Sequence, residues 1–247
     1  MKVIISGFTG AMGKTLVDLI QDSFTDVEIV AGVSNKITEK SNFSAYETFS
    51  EIKEEADVII DFSHHALTMD MVEYARKTKT KVVVATTGHT EEELAAIKEL
   101  AKEVAVIYSG NYSLGVNVLV ELVKKASELL GGYDIEVVEK HHNKKVDSPS
   151  GTAKMLVDAV HNVEEYDRVY GREGDGKRQT KEIGIHAVRG GTIVGEHEVI
   201  FAGQDEVIEI KHTALSKRMF ANGAVKAALW LEDKPARLYS MKDVLGI

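Results

Sequence analysis

Val3-Ile4-Ile5-Ser6-Gly7-Phe8-Thr9-Gly10-Ala11-Met12-Gly13 is the stretch on which the fold turns. Val3–Ser6 has the length and β-branched content of a strand buried on both faces. Glycines at Gly7, Gly10 and Gly13 permit a tight turn, let backbone N–H groups approach a pyrophosphate, and allow the following helix to pack closely on the strand. The helix N-terminus adds its own attraction for an anion. With Ala11 and Met12 between the last two glycines, the spacing is G-x-x-G-x-x-G, a variant of the dinucleotide-binding G-x-G-x-x-G. The competing reading is a plain strand-to-helix turn that uses glycine for its backbone geometry.

Outward from this loop, short apolar runs alternate with helical patterns. Further strands are predicted at Val27–Gly32, Val58–Phe62, Val82–Thr86 and Ala105–Tyr108, with helices starting near Gly13, His64 and Thr90. Thr90-Glu91-Glu92-Glu93 has the capping-box form, Thr followed three residues later by Glu. The pattern predicts an α/β fold with a Rossmann-like parallel sheet. Asn117–Leu130 reads as an amphipathic helix, after which the texture changes. Longer strands are predicted at Tyr133–Lys140, Ile183–Val188, Thr192–Ala202 and Glu206–Thr213. The last three have no helix between them, so antiparallel pairing is expected. The polar stretch Asn162–Lys181 reads as a mobile surface loop, and Ala221–Leu231 returns to helical spacing. These elements predict a dinucleotide-binding domain, residues 1–112 and 218–247, and an α+β domain with a mixed sheet, residues 113–217.

Composition narrows the function. The 247 residues are 44% hydrophobic and 28% charged, an ordinary globular profile. The absence of Cys excludes disulfides, thiolate metal sites and cysteine nucleophiles. Thirty basic against 39 acidic residues leave a net charge of −9, which argues against nucleic acid or an anionic membrane as partner. The first apolar run is too short for a signal peptide, and no stretch approaches the ~20 apolar residues of a membrane span. A cytoplasmic protein with a small-molecule ligand is expected.

The second strand lacks the acidic residue that would accept the ribose hydroxyls of NADH. Ser34-Asn35-Lys36 stands there instead, supplying donors and a cation where a carboxylate would repel a 2′-phosphate. Either NADPH is accepted beside NADH, or these are ordinary loop residues.

A second signal is Glu136-Val137-Val138-Glu139-Lys140-His141-His142-Asn143-Lys144-Lys145-Val146-Asp147-Ser148-Pro149-Ser150-Gly151-Thr152-Ala153. A strand runs into paired histidines, two lysines and a helix start, a cationic cluster suited to carboxylates. Backbone N–H groups at Gly151 and Thr152 and the Thr152 hydroxyl can grip one of them. Ser150-Gly151-Thr152 also fits a plain helix cap, and the lysines a solvated patch. Adjacent histidines on a strand point to opposite faces, so no metal site is expected. His64-His65, after Asp61-Phe62-Ser63, serve capping and loop contacts as readily as cofactor contact.

Together these segments resemble the 4-hydroxy-tetrahydrodipicolinate (dihydrodipicolinate) reductase family over essentially the whole chain. The resemblance extends to Asp61-Phe62-Ser63, Thr86-Thr87-Gly88, Asn111-Tyr112-Ser113-Leu114-Gly115-Val116-Asn117, Val194-Gly195-Glu196-His197 and Phe220-Ala221-Asn222-Gly223-Ala224. It implies an NADPH- or NADH-dependent reductase of a cyclic dicarboxylate imine, acting in diaminopimelate and lysine synthesis. It further implies His141 as the acid, Lys145 as its partner in proton donation and substrate binding, and His142, Ser150, Gly151 and Thr152 as substrate contacts. Cofactor contacts are implied at Gly7, Gly10, Ala11, Met12, Gly13, Ser34, Asn35, Lys36, Phe62, Ser63, Ala85, Thr86, Thr87, Gly88, Ser109, Asn111 and Tyr112. Residues 113–217 are implied to bind substrate and to build a homotetramer, consistent with long strands that one helix, Thr152–Val160, would leave uncovered. Two positions depart from the family's usual pattern: Ala85 replaces a glycine, and His64-His65 stand where a proline is common. The alternatives are another nicotinamide-dependent reductase of a small dicarboxylate or imine, and a non-catalytic dinucleotide-binding redox sensor, which has no need of the 136–153 cluster.

Overall fold

The computed structural model describes residues 1–37 and 40–247. In chain order the elements are β1 (Lys2–Ser6), α1 (Ala11–Ser23), β2 (Glu28–Val33), β3 (Ser44–Tyr46), β4 (Val58–Asp61), α2 (Thr68–Thr78), β5 (Lys81–Val84), α3 (Glu91–Leu100), β6 (Ala105–Tyr108), α4 (Leu114–Leu129), β7 (Asp134–His141), α5 (Gly151–His161), β8 (Asp167–Tyr170), β9 (Glu182–Arg189), β10 (Gly195–Ala202), β11 (Val207–Ala214), α6 (Arg218–Leu231), β12 (Arg237–Tyr239) and α7 (Met241–Leu245). They form two compact units, Met1–Leu114 with Lys217–Ile247, and Gly115–Ser216.

In the first unit the described strands form one parallel sheet in the order β12-β6-β5-β4-β1-β2-β3. The central strands read as continuous apolar runs because both faces are covered. Ile4, Ile5, Ile59 and Ile60 are fully buried, each contributing about 1.5–3 kcal/mol. Val3, Ile5, Ile60 and Ile107 meet the buried faces of α1 and α6, while Ile4, Ile59, Val82 and Val106 pack against the faces of α2 and α3. The chain reverses direction across the sheet between β1 and β4, and ligands of doubly wound sheets bind at such a switch point. The glycine loop and Phe62-Ser63 leave the sheet there.

Five strands were expected and seven are found. β3 and β12 are three residues each, too short to show a period, and are defined by pairing with β2 and β6. α2 starts later than expected, because a 3₁₀ turn at His65–Leu67 intervenes. The Thr90–Glu93 capping box is present, with Glu93 Oε2 accepting the Thr90 N–H at 2.7 Å and Thr90 Oγ1 accepting the Glu93 N–H at 3.2 Å.

The second unit holds a mixed sheet ordered β11-β10-β7-β9-β8. The expectation that the last three strands pair antiparallel holds for β10 and β11 only: β7 lies between β9 and β10, parallel to β9 and antiparallel to β10. Periodicity reveals a strand's faces but not its neighbours. One face of this sheet packs Ile135, Val137, Ile183, Val199 and Phe201 against α4 and α5, so two helices cover it rather than one. The expected mobile loop 162–181 contains β8, which adds parallel to β9. Its charges tie it to the sheet, Arg172 to Glu136 (2.8 Å) and Glu182 (2.9 Å), and Arg178 to Asp134 (2.7 Å) and Glu136 (3.3 Å).

Candidate active site

In the first unit the glycine loop is fixed by backbone geometry. Gly7 has φ +81°, and a Cβ there would lie 2.5 Å from the Phe62 carbonyl oxygen. At Gly13 a Cβ would lie 2.1 Å from the Gly7 carbonyl oxygen, so the first turn of α1 needs glycine to close on the loop. Gly10 is the N-cap, with exposed Ala11 and half-buried Met12 following it. At the loop's other side the buried Ser34 shares a hydrogen bond with Thr9 (Oγ–Oγ1 2.6 Å). Ser34 therefore braces the loop, whereas Asn35 and Lys36 are exposed.

A cleft of about 280 Å³ is lined by Met12, Phe62, Ala85, Gly110, Asn111, Tyr112, Lys217 and Phe220. Five of the expected cofactor residues thus meet in one hollow. Ala85 lines it despite its methyl group. The Tyr112 hydroxyl donates to the Val84 carbonyl at 2.8 Å, so the ring and backbone, not the hydroxyl, face the cleft side. The segment after β6 is folded on itself: Ser109 Oγ donates to the Asn111 carbonyl at 2.9 Å, and Asn111 Oδ1 accepts the Ser113 N–H at 2.9 Å. Ser63 is turned toward Asp61 (Oγ–Oδ1 2.5 Å). Of the loop after β5, Thr86 is buried, while Thr87 and Gly88 are exposed, Gly88 with φ +82°. Met12 connects this hollow to the glycine loop, so the two together lie along one edge of the sheet where part of a dinucleotide could be held.

In the second unit β7 ends at His141, and odd-numbered residues face the helices. Glu139 is fully buried beside it. A lone buried carboxylate is costly, and this one is surrounded by donors. Arg189 donates to both of its oxygens at 2.7 Å, the Ser150 N–H to Oε1 at 3.0 Å, and His141 Nδ1 lies 2.6 Å from Oε2. Burial raises the Glu139 pKa, but Arg189, His141 and the Ser150 N–H outweigh it and hold the carboxyl below its usual range. Nδ1 of His141 must then carry the bridging proton. Its other nitrogen, Nε2, lies beside Gly195, where a Cβ would approach to 3.1 Å.

His197 packs edge-on against His141, with ring centroids 5.1 Å apart, and its Nε2 is 2.7 Å from Ser150 Oγ. Burial, aided by the neighbouring His141, pushes the His197 pKa down to about 4. The neutral ring shares this hydrogen bond with Ser150, whose Oγ also accepts the Ala153 N–H at 3.1 Å as the N-cap of α5. Ser150 thus has hydrogen-bond partners within the chain at both its N–H and its hydroxyl. Gly151, exposed, and Thr152, half-buried, open the helix. Lys145 Nζ pairs with Asp147 Oδ1 at 2.7 Å and holds that carboxyl below its usual range. His142 is half-buried.

The family model for the N-terminus of dihydrodipicolinate reductase matches residues 1–112, and that for its C-terminus matches residues 115–245. The chain belongs to the dihydrodipicolinate reductase family. A 4-hydroxy-tetrahydrodipicolinate reductase from Caldanaerobacter subterraneus subsp. tengcongensis is 50% identical over 248 residues, covering 99% of this chain and 98% of the relative. The reductase from Clostridium tetani is 44% identical and covers 100% of this chain and 97% of its own. Among solved structures, the dipicolinate-bound dihydrodipicolinate reductase from Paenisporosarcina sp. TG-14 shares the fold, with a TM-score of 0.82, 20% identity and 97% coverage of each chain.

Glu139, Arg189 and His197 were not among the expected site residues. The signal for His197 was present in Val194-Gly195-Glu196-His197, whose glycine makes room for His141 and whose histidine meets Ser150. Glu139 is read from sequence as one more strand residue, and Arg189 as the polar end of another. Only pairing of β7 with β9, which sets His141 opposite Arg189, brings them together.

Proposed function

We propose that the protein reduces 4-hydroxy-tetrahydrodipicolinate to tetrahydrodipicolinate, with NADPH or NADH as hydride donor and with loss of water. The observation that carries the mechanism is the His141–Glu139 contact at the end of β7. The nicotinamide supplies the hydride, so the chain has to bind two ligands, hold carboxylates and deliver one proton. With Nδ1 committed to Glu139, His141 presents Nε2 as the donor atom, and the ionised Glu139 holds the ring in that orientation. Lys145, whose charge is now shared with Asp147, is the cation that a substrate carboxylate recruits, with His142 beside it. The N-terminus of α5 at Gly151 and Thr152 offers N–H donors and its dipole to a carboxylate. Ser150 works one step back, fixing the helix start and the His197 ring.

On the cofactor side, Gly7, Gly10, Ala11, Met12 and Gly13 are the residues for the pyrophosphate. We assign Ser34, Asn35 and Lys36 to the ribose edge, and Phe62, Ser63, Ala85, Thr86, Thr87, Gly88, Ser109, Asn111 and Tyr112 to the remaining cofactor contacts, of which Phe62, Ala85, Asn111 and Tyr112 line the cleft. The first unit is accordingly the dinucleotide-binding domain and the second the substrate domain. The second is also the part through which we infer a homotetramer: Tyr170, Val188, Val207 and Ile208 on its sheet are 64%, 45%, 57% and 40% exposed. We infer a cytoplasmic location for this biosynthetic enzyme, in which no described helix is long and apolar enough to cross a membrane. The test is an assay that follows nicotinamide absorbance with substrate generated by the preceding synthase. His141→Gln should lower kcat by roughly 10²–10⁴-fold while cofactor affinity is retained. Near-normal turnover in that variant would remove His141 from the mechanism.

A further inference from the structure

His64-His65, the departure from the family's usual proline, joins two loops of the first unit. One loop leaves β4 and carries Phe62 and Ser63. The other leaves β5 and carries Ala85 to Gly88. His65 Nδ1 lies 3.1 and 3.2 Å from the two carboxylate oxygens of Glu93, in the first turn of α3. Glu93 is itself buried and accepts the Thr90 N–H at 2.7 Å, so its position fixes the end of the β5–α3 loop. The start of that loop is fixed separately, by the Ala85 N–H to the Asp61 carbonyl at 2.9 Å. Between the two anchors Gly88 adopts φ +82°, with no other atom within 4 Å of where a Cβ would stand. The β4–α2 loop has the opposite character. It is seated against the glycine loop at Gly7 and bonded by the Phe62 N–H to the Ser6 carbonyl at 3.0 Å.

We propose that His65 and Glu93 are positioning residues that bolt the β5–α3 loop to the β4–α2 loop and thereby set cofactor affinity. The inference rests on the reading of these loops as cofactor walls. The Thr90 N–H and the His65 ring hold the Glu93 carboxyl below its usual range, so it accepts from His65 as a charged group. His65 Nδ1 faces both oxygens of the ionised carboxylate and so is the donor of the pair. The groups facing it are His64, whose ring centroid is 4.3 Å away, Asp61, and His89, whose ring stands edge-on to Tyr108 at 5.7 Å. Among the described residues no group of three or more His, Cys, Asp or Glu is arranged to hold a metal, so the histidines act here through hydrogen bonding.

His65→Ala removes the cross-loop tie and leaves the Thr90–Glu93 capping box intact. His65→Asn restores a donor where Nδ1 stood. Two measurements on the whole protein decide the matter: amide hydrogen exchange of residues 86–90 without cofactor, and NADPH and NADH dissociation constants by fluorescence titration. His65→Ala should exchange faster at 86–90 and bind both cofactors roughly three- to tenfold more weakly, the size of one half-exposed charge-assisted hydrogen bond. His65→Asn should recover most of both. Wild-type exchange and wild-type affinity in His65→Ala overturn the proposal, as does a lowered melting temperature with unchanged dissociation constants. A wild type that binds neither cofactor defeats the cofactor reading instead, and the exchange rates then judge the bolt alone.

Discussion

Replacing Glu139 by Gln tests the site at its least exposed point. The substitution keeps the shape and removes the charge. Arg189, 20% exposed at its side chain, loses its counter-ion, and His141 loses the acceptor that fixes its Nδ1 proton. Breaking a fully buried ion pair costs about 3–5 kcal/mol, and the partial exposure of Arg189 reduces this to about 2–4 kcal/mol. Chemistry should suffer more. A histidine whose orienting carboxylate becomes an amide is held in the wrong tautomer, and losses of ~10²–10⁴ in kcat follow. Acid behaviour provides a second readout. Because the folded pKa of Glu139 lies below its ordinary 4.5, its contribution is complete above that value and is lost as pH falls through the folded pKa. The variant should lack that part of the acid transition. The assays are kcat and KM with both cofactors, urea unfolding at pH 7, and stability from pH 6 downward. Wild-type kcat combined with wild-type stability would refute the assigned role of Glu139.

Other outcomes follow from single contacts. His197 titrates at about 4 when folded and at 6.5 when unfolded, so the wild type should lose about 3 kcal/mol as pH falls between those values; His197→Gln should flatten that slope, and an unchanged slope would disprove the assignment. A Cβ at Gly223 would lie 1.7 Å from the Tyr112 carbonyl oxygen, so Gly223→Ala should cost roughly 3 kcal/mol in chemical unfolding, whereas a neutral result means that α6 shifts freely. Lys36→Ala should weaken NADPH but not NADH binding, by roughly fivefold at low salt and less at high salt. Equal changes in both KM values rule out contact of Lys36 with the 2′-phosphate.

What could be read beforehand divides along physical lines. The first sheet is legible because each strand is buried on both faces and each helix carries one apolar stripe, so local pattern and packing agree. β3 and β12 are not legible, since three residues hold no period and only a partner strand defines them. The loop at 162–181 misleads because its polarity is that of ion pairs: Arg172 and Arg178 meet Glu136, whose carboxylate occupies the space that Gly184 leaves empty. At the site, residue types pointed to His141 and Lys145, but a carboxylate such as Glu139 takes its meaning from Arg189 and Ser150, which only sheet register and the following turn deliver. Ser150 shows the limit from the other side. Its identity suits both a ligand contact and a cap, and the sequence alone does not show that its hydroxyl caps α5 while its N–H meets Glu139.

The first unit is built from two stretches with the whole of the second inserted between them, and this orders its synthesis. When residues up to Leu114 have left the ribosome, Val58, Ile60, Val83 and Ile107 still await α6, which carries Ala221, Ala224, Val225, Ala227, Ala228 and Leu231. The inserted segment needs nothing from later in the chain to close its own core. The first unit is thus completed only when its last stretch, Lys217–Ile247, has been made. A protease product ending before Arg218 would uncover the part of that sheet face over β4, β5 and β6, a ready target for chaperones and for self-association.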